Sequence, residues 1–118
     1  MDFENKQRII QEIVPGKQIT LAHIVAKPDA VLYRKLGLDP SVDYSSAAIG
    51  ILTMSPAEYA IIAADLAIKS SGAELGFVDR FSGTLIITGT ISPVEAALNA
   101  IIAHAGEKLG FTVCDVTR

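Results

Sequence analysis

Two histidines, one cysteine and an acid beside an arginine are the residues of this chain best equipped for chemistry. His23 and His104 could ligate a metal or move a proton, and Cys114 could act as a nucleophile. Asp79-Arg80 could serve as an acid and its partner. Their placement argues against each role. The histidines lie far apart, one in a strand-like run and one in a helical run, with no carboxylate or cysteine at metal-ligand spacing. His23 reads as a structural or interface residue. Cys114 sits in FTVCDVTR without a CxxC partner, so an unreactive buried thiol is the default, and a lone cysteine forms no internal disulfide. Adjacent residues on a strand point to opposite faces, which separates Asp79 from Arg80. Phosphate loops of the GxGxxG or GxxxxGK type are absent. No nucleophile, base and orienting group can be assembled, so the expectation is a protein that is not an enzyme and needs no cofactor or metal.

One stretch remains unexplained by that survey. FVDRFSGTLIITG, Phe77 to Gly89, joins two strand-like runs through Arg80-Phe81-Ser82-Gly83. Ser-Gly is ordinary hairpin punctuation. An Arg and a Phe on the rim of the turn are not.

The elements around this loop come in a repeated order. Ser55-Pro56-Ala57-Glu58 and Ser92-Pro93-Val94-Glu95 both spell Ser-Pro-x-Glu. Ser as N-cap, Pro at the first helical position and Glu three residues after Ser predict a capping box at each site. Each is followed by an Ala-rich helix, AEYAIIAADLAIKSS and VEAALNAIIAHAGEKLG, and preceded by a strand, AIGILTM and TLIITGTI. After each helix comes a near-copy, Glu74-Leu75-Gly76-Phe77 and then Lys108-Leu109-Gly110-Phe111. From Ala48 onward the chain is therefore β-α-β twice, an α/β (α+β) fold of the ferredoxin-like βαββαβ kind with the Arg-Phe-Ser-Gly loop at its midpoint. Small side chains in both helices let them lie close to a sheet or a neighbour. Ahead of this core lie RIIQEIV (Arg8 to Val14), a strand candidate QITLAHIVA (Gln18 to Ala26), a short helix over Ala30 to Leu38 ending at Gly37, and the turn-rich linker DPSVDYSSA.

Composition bounds the function classes. A chain of 118 residues is one domain by length. Half its residues are apolar, 19% are charged, and the mean hydropathy is +0.41, mostly from Ala, Ile, Leu and Val. So oily a surface implies that other copies cover part of it. Net charge is −3 with ten scattered Lys and Arg, so the basic patch of a nucleic-acid binder is missing. Asp65 and Asn99 break the longest apolar runs well short of the ~18 residues of a membrane span. The polar N-terminus MDFENKQR lacks the apolar segment of a signal peptide, and the expectation is a cytoplasmic protein of bacterial type.

Along nearly its whole length the chain resembles the bacterial microcompartment shell (BMC-domain) family. AIGILTMSPAEYAIIAADLAIKSSGAELGFVDRFSGTLIITGTISPVEAAL is similar to that family's strand, Ala-rich helix, hairpin and second helix. Ala63-Ala64-Asp65 and Lys69 match its AAD and edge-lysine positions. The order of parts resembles the circularly permuted subgroup of ethanolamine- and propanediol-utilisation shells. HIVAKPD (His23 to Asp29) and its helix come first here, and IIQEIVPGKQITLAH resembles that subgroup's N-terminal hallmark. FTVCDVTR then follows the second helix where an unpermuted relative has its last strand, so two segments compete for one sheet position.

The resemblance implies a cyclic hexamer, a tile in a shell that encloses a pathway with a volatile or toxic aldehyde intermediate. Residues 1–16 would be an N-terminal β extension and 17–118 the permuted BMC domain. Arg80, Phe81, Ser82 and Gly83 would line the central pore, and Lys69 and Lys27 would lie at the tile edge. Six copies of Ile9, Ile10, Gln11, Glu12, Ile13 and Val14 could close into a parallel barrel that removes every strand edge. Either Ile9, Gln11 and Ile13 or Ile10, Glu12 and Val14 would face its lumen; the first set is favoured, because six facing Glu12 carboxylates would repel. Implied partners are the other five copies, other shell proteins, and enclosed enzymes or their targeting peptides, with neither nucleic acid nor membrane. Two rival readings are a ligand-sensing ferredoxin-like module and a redox carrier using Cys114. An iron–sulfur cluster at the pore, held through Cys in some permuted relatives, has no Cys in this loop to hold it.

Overall fold

The computed structural model of the chain describes residues 16–38 and 47–118. The barrel candidates Ile9 to Val14 and most of the DPSVDYSSA linker lie outside the described residues.

Four antiparallel strands form one sheet: β1 (Gln18–Ala26), β2 (Ala48–Ser55), β3 (Glu74–Asp79) and β4 (Thr84–Gly89), in the order β1-β2-β4-β3. The central strands β2 and β4 read as near-continuous apolar runs because both of their faces are covered. One face carries α2 (Tyr59–Ser70) and α3 (Ile91–Ala103), packed on Leu52, Met54, Leu85 and Ile87. The other carries the short α1 (Ala30–Lys35), whose Tyr33, with the following Leu38, packs on Ile49 and Ile86. Asp29 caps α1 by accepting the Val31 N–H at 2.9 Å, and the chain leaves it through Gly37 at φ +71°.

The small residues of the helices allow close approach. Ala60, Ala63, Ala64 and Ala67 of α2 and Ala97 of α3 are buried. At Gly50 on β2 a Cβ would come within 2.7 Å of Leu98 Cδ1 and 2.8 Å of Val94 Cγ1. Only a glycine lets α3 sit this near the sheet.

Two expectations are corrected and one open alternative is decided. First, neither Ser-Pro-x-Glu forms a capping box. Ser55 remains in β2, joined to Pro56 by a cis peptide, and the N-cap of α2 is Glu58, with no side-chain cap bond. The second helix begins earlier than its motif, with Thr90 as N-cap, so Ser92 lies inside the first turn and Glu95 instead pairs with Arg118. Ser caps only where the chain turns into the helix at that residue; at both sites it turns elsewhere. Second, α3 stops at Ala103 and gives way to a π-helical turn over His104–Lys108 instead of running on to Gly110. Third, the competition for the sheet position beside β2 goes to β1. FTVCDVTR makes only isolated parallel bridges outside β1, Gln18 to Thr112 and His23 to Thr117. The sheet is thus that of a βαββαβ fold whose last strand is supplied from the other end of the chain.

Candidate functional site

Asp79 at the end of β3 organises the whole Arg80–Gly83 loop. Its carboxylate accepts the Phe81 N–H at 2.9 Å through Oδ1 and the Ser82 hydroxyl at 2.9 Å through Oδ2. Its carbonyl accepts the Gly83 N–H at 2.9 Å. The Phe81 N–H, and then the Ser82 hydroxyl, favour the charged carboxylate and hold it below its ordinary value. Ser82 Oγ also lies 3.0 Å from Thr84 Oγ1. Gly83, at φ +79°, passes so near β2 that its carbonyl accepts the Met54 N–H at 2.9 Å, and a Cβ there would stand 2.1 Å from the Met54 carbonyl oxygen. The loop is tied at three of its four residues to strands on either side.

That rigid base presents one outward group. Phe81 is 82% exposed, and the Arg80 guanidinium stacks over its ring at 4.9 Å. The loop therefore holds an exposed apolar ring out from a hydrogen-bonded base, with a cation over its face.

The other candidate residues lie elsewhere. Lys69, on the outer side of α2, pairs with Asp65 at 3.0 Å, both well exposed. Lys27 follows β1 with φ +52°, the left-handed region, immediately before Pro28. The structure does not bring Lys69, Lys27 and the loop together within one chain as a single pocket. His23 Nδ1 lies 2.7 Å from Thr117 Oγ1. His104 Nδ1 lies 2.8 Å from the hydroxyl of Tyr59, whose ring stacks on the imidazole at 6.1 Å and meets Phe111 at 4.6 Å. Burial pushes the Tyr59 hydroxyl above its usual value. Both histidines thus tie the C-terminal part of the chain to the core. Cys114 is half-buried against the main core. Among the described residues no three of His, Cys, Asp or Glu gather as a metal would need, and no helix is long and apolar enough to cross a membrane.

Sequence reasoning found the loop and its glycine but missed Asp79 as the clamp. The signal was present, since Asp followed by Arg-Phe-Ser-Gly is the pattern of a side chain bonding to the backbone two residues on. Tyr59 was missed as the partner of His104, which no sequence spacing reveals.

The described residues thus form a sheet covered by helices on both faces, with one hydrogen-bonded loop that holds Phe81 outward. The BMC domain family model matches residues 48–116. The bacterial microcompartment shell protein PduU of Salmonella typhimurium is 51% identical over 111 residues, covering 94% of this chain and 92% of that protein. The shell protein EutS of the same organism is 49% identical, covering 97% of this chain and 98% of that one. Among solved structures, a CutR flat hexamer superposes with a TM-score of 0.80 at 42% identity, over 88% of this chain and 92% of that one. The chain belongs to the BMC-domain family. It is a structural shell protein of bacterial microcompartments, not an enzyme, and close in type to PduU, EutS and CutR. The family match begins at β2, yet β1 from ahead of it fills the sheet position next to β2. That is the signature of a circular permutation.

Proposed function

We propose that this chain closes into a homohexameric tile that joins other shell proteins around a cytoplasmic compartment. The observation that carries the reading is the superposition of its fold on a subunit of the CutR flat hexamer over most of both chains. A closed ring repeats one loop around its axis, so six copies of Arg80, Phe81, Ser82 and Gly83 form the collar of the central opening. Phe81, outermost and rigidly based, narrows it. Lys69 and Lys27 lie at the outer edge, where tiles meet. Residues 17–118 make up the tile proper. The tile is then a barrier or a docking knob for enclosed enzymes or their targeting peptides, on a pathway whose aldehyde intermediate needs containment.

Light scattering should give roughly six times the 12.5 kDa chain mass. A stable monomer at micromolar concentration would sink the ring.

A further inference from the structure

Arg80 carries a charge that its own chain leaves unanswered. Among the described residues the ion pairs are Lys69 with Asp65 and Arg118 with Glu95. The Arg80 guanidinium lies instead over the Phe81 ring, 4.9 Å from its centre. Attraction to a ring face is electrostatic and leaves the guanidinium's five N–H donors without an acceptor. The adjacent acid, Asp79, does not take them. Its Oδ1 accepts the Phe81 N–H and its Oδ2 the Ser82 hydroxyl, both at 2.9 Å. The carboxylate that could have neutralised Arg80 is spent on the loop itself.

The cation is also held in place. Gly83 donates its N–H to the Asp79 carbonyl and accepts the Met54 N–H, both at 2.9 Å. With the backbone pinned on both sides, Phe81 stands out as a platform and Arg80 rests on it. Ordering a long side chain before its partner arrives removes part of the cost of binding. The planar fork of Arg matches carboxylate and phosphate oxygens two at a time.

We propose that six copies of Arg80, each carried on Phe81, form one binding site for a phosphate-type anion at the axis of the ring. The inference rests on the ring proposed above. A closed ring brings one unanswered guanidinium per copy to a common axis. Like charges gathered there repel one another until an anion lies among them, and rings of Arg are a known means of selecting anions and phosphates at an opening. A single carboxylate presents one edge and answers one fork. A phosphate presents oxygens on several sides and answers several forks at once. The apolar Phe81 rings beside the site exclude water, which strengthens each of these contacts. The chain carries a net charge of −3, so attraction for anions belongs to this collar and not to the surface at large.

The test titrates inorganic pyrophosphate into the assembled protein by calorimetry, with light scattering on the same sample to report the hexamer. Binding should saturate at about one pyrophosphate per six chains. Arg80→Gln should weaken it at least about tenfold, since charged hydrogen bonds are lost. Arg80→Lys keeps the charge and loses the fork, and should weaken it at least about threefold; it reads the site on its own where the Gln variant does not assemble. Acetate should bind at least about tenfold more weakly than pyrophosphate. An intact hexamer that takes up no pyrophosphate, takes one per chain, or binds it as tightly with Arg80 replaced overturns the anion site and leaves the ring standing. A chain that stays monomeric overturns the ring and the site together.

Discussion

Asp79 does the most of any single residue to shape the contact loop, and its chemistry makes that measurable. Its carboxylate accepts the Phe81 N–H and the Ser82 hydroxyl, which lowers its pKa in the folded chain. A group whose folded pKa is depressed stabilises the fold above its unfolded pKa, and that contribution is lost as pH falls through the folded value. In an NMR titration the Asp79 carboxyl carbon should therefore titrate below the ordinary ~3.9 of a free Asp, and the Phe81 amide should shift with the same midpoint. A midpoint at or above the ordinary value would mean the clamp is not made. Gly83 tests the other side of the loop. Ala there would hold a left-handed φ of +79° and press its Cβ on the Met54 carbonyl oxygen. The expected loss exceeds about 1 kcal/mol, read as a lower melting temperature; an unchanged Tm would show that the loop relaxes freely. Sequence alone revealed the turn and the glycine, because Gly is the residue with a positional meaning there. It hid Asp79, whose role was judged by which strand face it points to rather than by the short bond it makes to its own loop.

At the scale of elements, the strands and helices were legible because several signals agreed over each of them. β2 and β4 are apolar throughout, the alanines mark close-packed helices, and the repeated Leu-Gly-Phe marks equivalent ends. Helix entries were not legible. Ser-Pro-x-Glu is consistent with a cap, but where a chain turns depends on the strand before it: β2 extends through Ser55, and Thr90 takes the cap of α3. The fate of FTVCDVTR was also hidden, because two β-prone runs of similar length give no hint of which one bonds to β2. Packing between elements supplies the sharper prediction. Gly50→Val would drive a branched side chain into Leu98 and Val94, both fully buried in the core. Overpacking of this kind costs about 1–3 kcal/mol, and denaturant midpoints should fall accordingly. Gly72→Ala is the contrast, since its new methyl would find nothing nearer than Pro93 at 3.9 Å. Its effect should stay within about 0.5 kcal/mol. Equal losses at the two positions would mean that the approach of α3 to Gly50 is not what the fold depends on.

Considered as a whole molecule, the single chain leaves apolar surface that its own fold does not use. Ile61 and Ile62 are 51% exposed and Ile68 49%, on the same side of α2 as the Asp65–Lys69 pair. The oily composition was therefore a correct sign that the isolated chain is not the finished object, although it could not say which surface meets which copy. Two kinds of contact must be separated, those that close a ring and those that join one ring to the next. Lys69 belongs to the second kind in the proposed tile, and its environment makes it a clean probe. An exposed i,i+4 pair contributes only about 0.3–0.5 kcal/mol, so Lys69→Ala should leave the melting temperature nearly unchanged. Light scattering should still report the hexamer. Electron microscopy should show that the extended sheets or tubes of the parent protein are gone, because a long cation reaching across the edge has been removed from every copy. Hexamers lost together with the sheets would move Lys69 into the ring interface. Sheets that persist undiminished would take Lys69 out of the tile edge altogether.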